Sequence, residues 1–121
     1  LADFCAVGLA GPAPVGGGVS PDGDPVIRDL LVRSWLELEV MRLNALRDPR
    51  SPITKLYWSE WHRRLGELAQ EVQGRAGLVA EGGELNDLQR LYLFSRADTI
   101  YAGSSEIQRN LIAERTLGLP R

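Results

Sequence analysis

The sequence is short of the residues that build disulfides, metal sites and membrane spans. Cys5 is the only cysteine and His62 the only histidine among its 121 residues. One cysteine can form neither an internal disulfide nor a thiolate cluster, and it points to a reducing compartment, with the cytoplasm as the expected location. A lone histidine without cysteines or acids at ligand spacing reads as a helix-surface or core residue rather than a metal ligand. Positive charge is not in excess: 14 Lys and Arg stand against 16 Asp and Glu. No basic field therefore favours nucleic acid or an anionic membrane, and neither is expected as a partner. No apolar run reaches the roughly 20 residues that a bilayer span requires. The opening LADFCAVGLAGPAPV is broken by Asp3, Gly8 and Pro12 and has no positive segment before it, so it does not read as a secretory signal. The first residue is Leu rather than Met, from which we expect a piece of a longer protein. Sustained strand alternation and internal repeats are missing as well.

What is present is ordinary globular composition, with 44% apolar and 25% charged residues. A domain of this size buries only about two thirds of its unfolded surface, so apolar faces left over would dock on something larger. Residues 1–24 hold six of the thirteen glycines together with Pro12, Pro14 and Pro21. We read 1–23 as a Gly/Pro-rich linker that includes the end of a preceding helix, and 24–121 as one helical domain.

Asp24-Pro25 is a helix start: the carboxylate caps free N–H groups and the proline occupies a position where its missing N–H is harmless. Ile27, Leu31, Ser34, Leu38, Met41 and Ala45 then recur at helical spacing to about Arg47, where Asp48-Pro49 stops the helix. Ser51-Pro52 repeats the start device before Ile53, Tyr57, Trp61, Leu65, Leu68 and Val72. Gly74 occupies the expected left-handed C-cap, and Gly77, Gly82 and Gly83 keep the connection irregular. Two long helices joined by a short loop are expected to pair antiparallel. A third helix is expected over 85–100. A short last one follows Gly103, with Ser105 and Gln108 at capping-box spacing and Gly118-Pro120 as its close. The fold expected is an all-α, up-down helical bundle. Trp35, Trp58, Trp61 and Tyr57 lie at helical positions and read as packing, while Cys5 has no visible activating base.

The chemistry concentrates in 95–121. Tyr101-Ala102-Gly103-Ser104-Ser105 places a glycine and two hydroxyls before a helix N-terminus, where free N–H groups and the dipole favour an anion or a carbonyl oxygen. A plain helix-loop-helix corner needs the same residues, with Gly for the turn and Ser for the cap, so the pattern alone does not decide between them.

The run Tyr101, Ala102, Gly103, Ser104, Ser105, Glu106, Ile107, Gln108, Arg109 resembles the closing signature of acyl-CoA dehydrogenases. The helices before it, including ITKLYWSEWHRRLGELAQEVQGRAGL, resemble the preceding part of the same C-terminal helical domain, so the resemblance covers 24–121. It implies an FAD-dependent oxidoreductase of fatty acid metabolism: a carboxylate removes the α proton of an acyl-CoA thioester while the β hydride passes to the flavin. In many members that carboxylate stands at the position of Ala102, whose methyl group accepts no proton. Branches with a small residue there take the base from an earlier helix, which would lie before Leu1, so the resemblance assigns no catalytic residue to this chain. It implies Ser104 and Glu106 as cofactor contacts, and Tyr101 and Gly103 as facing the substrate thioester. Glu106 in the first turn of the last helix also complements the dipole, and it is read as a flavin neighbour rather than a base. A second family feature, a Gln-x-x-Gly-Gly-x-Gly turn that reaches the flavin of a neighbouring subunit, is matched by Gly74 and Gly77 and departed from at Glu71 and Arg75. Glu71, Gly74 and Arg75 are the cofactor contacts implied there.

The implied assembly is a homo- or hetero-oligomer; the electron acceptor stays open at this point, an electron-transfer flavoprotein being one candidate. Two other readings are open to the same residues: a non-catalytic partner subunit, which Ala102 permits, and a relative that runs a different flavin reaction.

Overall fold

The structure is a computed structural model and describes residues 23–120. The expected linker and helix end within 1–22, Cys5 included, lie outside the described residues. Four helices follow in chain order: α1 (Pro25–Arg47), α2 (Ile53–Gln73), α3 (Asp87–Asp98) and α4 (Ser105–Arg115). Short 3₁₀ turns at Gly74–Leu78 and Glu81–Gly83 connect α2 to α3. No strand occurs among the described residues.

The first helix starts and stops as its sequence dictates. Asp24 is in extended backbone and its carboxylate accepts the N–H groups of Val26 at 2.7 Å and Ile27 at 3.4 Å. Asp48, forced out of the helical region by Pro49, is extended and closes α1. The start of α2 differs from the expected Ser51-Pro52 cap. Ser51 is drawn into the turn after Asp48, its N–H donating to the Asp48 carbonyl, and Pro52 occupies the cap position with no side-chain cap bond. At the other end Gly74 has φ 56° but ψ −134°, so it breaks α2 without adopting the left-handed helical cap, and the chain runs on into a 3₁₀ turn. The third helix is shorter than the expected 85–100. Asn86 and Gln89 form a reciprocal capping box at its start, and it stops at Asp98.

Helix α2 is the spine, and α1, α3 and α4 all pack on it. The indole N–H of Trp61 donates to the Ser34 carbonyl at 3.0 Å, and Arg64 pairs with Glu37 nearby, which places α1 along one side. On the other side Asn86 meets Gln73 at one end and Asp98 meets His62 towards the opposite end, so α3 runs antiparallel to α2. The two backbones approach closely at Gly66, where a Cβ would lie 2.3 Å from Ser95 Oγ and 3.1 Å from Tyr92 Cα. The buried apolar core is small: Ile27, Trp61, Leu65, Leu68 and Ala69. Helix α1 keeps a second apolar face in the open, with Trp35, Leu36, Val40 and Leu43 each about half exposed. None of the described helices is long and apolar enough to cross a membrane.

Candidate functional site

Residues 99–104 form the corner between α3 and α4, laid against the first half of α2. The corner begins where Ile100 and Tyr101 donate their N–H groups to the Ala97 carbonyl, and Ser105 N–H returns to the Thr99 carbonyl at 3.2 Å. Between them the backbone passes through two consecutive positive φ values, 54° at Ala102 and 94° at Gly103. Glycine tolerates this region and alanine does not do so freely, so the corner stores strain that its surroundings must hold. Gln108 reaches back from α4 to donate to the Ala102 carbonyl at 2.8 Å. A Cβ on Gly103 would come within 2.8 Å of that amide nitrogen.

The remaining support comes from α2. Lys55 Nζ donates to the carbonyls of Asp98 at 2.7 Å and Gly103 at 3.1 Å, bracketing the corner, and lies 5.7 Å from the centre of the Tyr101 ring. Asp98 is completely buried. Its carboxylate accepts the Tyr101 hydroxyl at 2.6 Å on one oxygen and pairs with His62 Nδ1 on the other. Trp58 and Trp61 flank the His62 ring at centroid distances of 5.5 and 6.1 Å. The carboxylate beside Tyr101 pushes the phenol pKa up, because ionisation would break a hydrogen bond and place two negative charges side by side.

At the start of α4 the cap is Ser104 rather than the expected Ser105. Ser104 Oγ accepts the Ile107 N–H, whereas Ser105 is the first helical residue and is buried, its hydroxyl donating to Glu60 at 2.7 Å. Gln108, the expected partner in a capping box, is committed to the Ala102 carbonyl instead. The Ser105 bond, reinforced by Arg63, holds Glu60 below the usual carboxylate range. Glu106 is also lowered, chiefly by a hydrogen bond from its own backbone N–H and then by the Ser104 hydroxyl. A carboxylate so stabilised is a weaker base. The first N–H groups of α4 thus have partners within the chain. Beside them lies an open cleft of about 290 Å³, lined by Glu60, Arg63, Thr99, Ile100, Ser104 and Glu106 among others.

Tyr101, Gly103, Ser104 and Glu106 are therefore brought together at one corner, with Tyr101 and Glu106 exposed. Glu71, Gly74 and Arg75 are not part of it. They lie at the far end of α2, which at 1.5 Å per residue is roughly 20 Å from Glu60; Glu71 and Arg75 are exposed and Gly74 is half-buried. Reading the sequence missed Lys55, Glu60, His62 and Asp98. His62 is neither a simple surface residue nor an apolar core residue, being held by a buried acid. One signal was available: Asp98 sits in the last turn of α3, where an acid opposes the helix dipole and calls for a positive or hydrogen-bonding partner. Among the described residues no group of three or more His, Cys, Asp and Glu could hold a metal ion.

Comparison with known proteins agrees with this architecture. Residues 18–117 match the family described as acyl-CoA dehydrogenase, C-terminal domain. The acyl-CoA dehydrogenase IpdE1 of Mycolicibacterium smegmatis is 61% identical over 104 residues, covering 81% of this chain and 26% of the relative. The protein of the same name from Mycobacterium tuberculosis is 53% identical over 107 residues, covering 81% of this chain and 28% of the relative. No solved structure matches. The chain spans about a quarter of the length of these relatives. Four helices without a strand among the described residues, the Tyr-Ala-Gly-Ser corner and a match across most of the chain lead to one assignment: this chain belongs to the acyl-CoA dehydrogenase family, as its C-terminal helical domain.

Proposed function

We propose that this domain works within an FAD-dependent acyl-CoA dehydrogenase, where it supplies one edge of the flavin and thioester site and takes its general base from another part of the protein. The observation that carries this reading is the corner itself. Tyr101 and Gly103 are presented on a braced, positive-φ backbone, yet position 102 is alanine and the neighbouring acid, Glu106, is tied to its own N–H.

Ser104 and Glu106 line the cleft beside the corner, where a flavin would lie; the Ser104 hydroxyl and the first amides of α4, engaged within the chain here, would exchange those partners for it. The exposed guanidinium of Arg75 is matched to a phosphate. When bound, FAD would supply the hydride acceptor. This chain's own residues would orient the thioester at Tyr101 and Gly103 and keep the corner fixed. Because the corner and the Glu71–Gly74–Arg75 turn lie at different ends of α2, one flavin is not expected to touch both. We read the turn as reaching the flavin of a neighbouring subunit, which makes the working form an oligomer. An electron-transfer flavoprotein as acceptor and a cytoplasmic location complete the proposal.

The test is the visible spectrum of the flavoprotein that contains this chain, mixed anaerobically with a saturated acyl-CoA. Bleaching that persists in Glu106→Gln is expected. Loss of bleaching in that variant with flavin retained would reinstate Glu106 as the base. A second reading, a non-catalytic partner subunit, draws on the vacancy at Ala102; flavin that binds but is bleached by no acyl-CoA would favour it.

A further inference from the structure

A buried carboxylate needs partners, and the partners of Asp98 converge on the corner. The group is inaccessible to water and sits at the unfavourable end of α3. An ionised carboxylate only accepts hydrogen bonds, so with Tyr101 donating to Oδ1 it takes the Nδ1–H of His62 on Oδ2. The Trp58 and Trp61 rings hold the imidazole plane. Lys55 fixes the Asp98 and Gly103 carbonyls, the two ends of the same segment. The charged and titratable groups meeting here, Lys55 and His62 from α2, Asp98 from α3 and Tyr101 from the corner, form one chain of contacts with a single exposed end, the Tyr101 ring.

We propose that Lys55, His62 and Asp98 are positioning residues that lock Tyr101 and the Gly103 backbone in one orientation towards the acyl thioester. This rests on the substrate-facing reading of the corner given above. Replacing a buried polar cluster by apolar residues of similar volume is often neutral or stabilising, so packing alone does not call for this chain of contacts. The polar chain achieves direction: it fixes where the phenol points and leaves its ring at the surface.

The experiment uses the full-length flavoprotein, with ¹³C-labelled tyrosine and the Tyr101→Phe variant to assign the Tyr101 signal. In Asp98→Asn the Tyr101 titration midpoint is expected to fall, because the carboxylate that opposes ionisation is gone. An unchanged midpoint overturns the proposal whether or not the protein turns over acyl-CoA. In the kinetic arm, His62→Ala and Tyr101→Phe are expected to raise KM for a saturated acyl-CoA about 10-fold, as loss of a charge-assisted contact would, with kcat and flavin content nearly unchanged. His62→Asn, whose amide can stand where Nδ1–H stands, is expected to recover most of that loss. A lowered melting temperature with unchanged KM would mean that the cluster only holds the fold and would overturn the positioning role. If the wild-type protein bleaches with no acyl-CoA, the functional reading fails, and the Tyr101 titration alone then decides whether the network directs the phenol.

Discussion

At the scale of single residues, the informative position is Ala102. It is the one non-glycine residue with positive φ among those described, and a left-handed conformation costs an L-residue roughly 1–2 kcal/mol. Glycine removes that strain but loses more entropy on folding, so Ala102→Gly is expected to raise the unfolding free energy by up to about 1 kcal/mol, measurable by urea denaturation. Tyr101 makes the pH dependence specific. Its folded pKa lies above the unfolded value, so the folded state binds the proton more tightly. That contribution is complete below about pH 10 and is lost as pH rises through the folded value. An alkaline titration followed by circular dichroism is expected to show this loss, with less of it in Asp98→Asn. Glu60 and Glu106 act in the opposite sense. Their lowered pKa values give a contribution present above 4.5 and lost as pH falls below it through the folded values.

At the scale of helices, the apolar stripes of α1 and α2 were legible, because burial against a neighbour imposes the helical period on the sequence. Ile27, Trp61, Leu65 and Leu68 of those stripes are buried. Cap positions were legible only within a residue or two. Ser104 and Ser105 are both competent caps, and Glu60, far away in sequence, decides between them by engaging Ser105. The capping box at Asn86 sets the start of α3 at Asp87, two residues after the start of the expected 85–100 helix. Gly66 was silent in the sequence, since a glycine within a helix announces only a loss of propensity; its use appears once α3 is in place. Gly66→Ala is expected to cost about 1–3 kcal/mol, read from thermal unfolding, because its Cβ meets the Tyr92 backbone as well as the Ser95 side chain. Of the candidate site, Tyr101, Gly103, Ser104 and Glu106 were legible through their motif. The supporting residues were not, because Lys55 and His62 meet the corner only through tertiary contact.

At the scale of the molecule, the small core and the open face of α1 belong together. Trp35, Leu36, Val40 and Leu43 of α1 each leave about half of their apolar surface exposed, and exposed apolar surface of that extent on one helix marks a surface suited to a partner. Alone, the described domain carries apolar surface that it does not bury itself. On its own it is expected to self-associate as concentration rises, and Leu36→Glu is expected to shift sedimentation towards the monomer without loss of helicity.

The Lys55 bracket carries a further consequence, for the order in which the molecule assembles. Its two bonds join residues 43 and 48 positions apart, so closing them costs loop entropy that only the docking of α2 on α3 can offset. The bent backbone at Ala102 and Gly103 thus combines local bonds, from Ser105 N–H to Thr99 and from Gln108 to Ala102, with a bracket that only tertiary assembly supplies. A peptide of 95–121 is expected to sample α4 but not the corner, which takes its shape late in folding, once the spine helix has arrived to hold it.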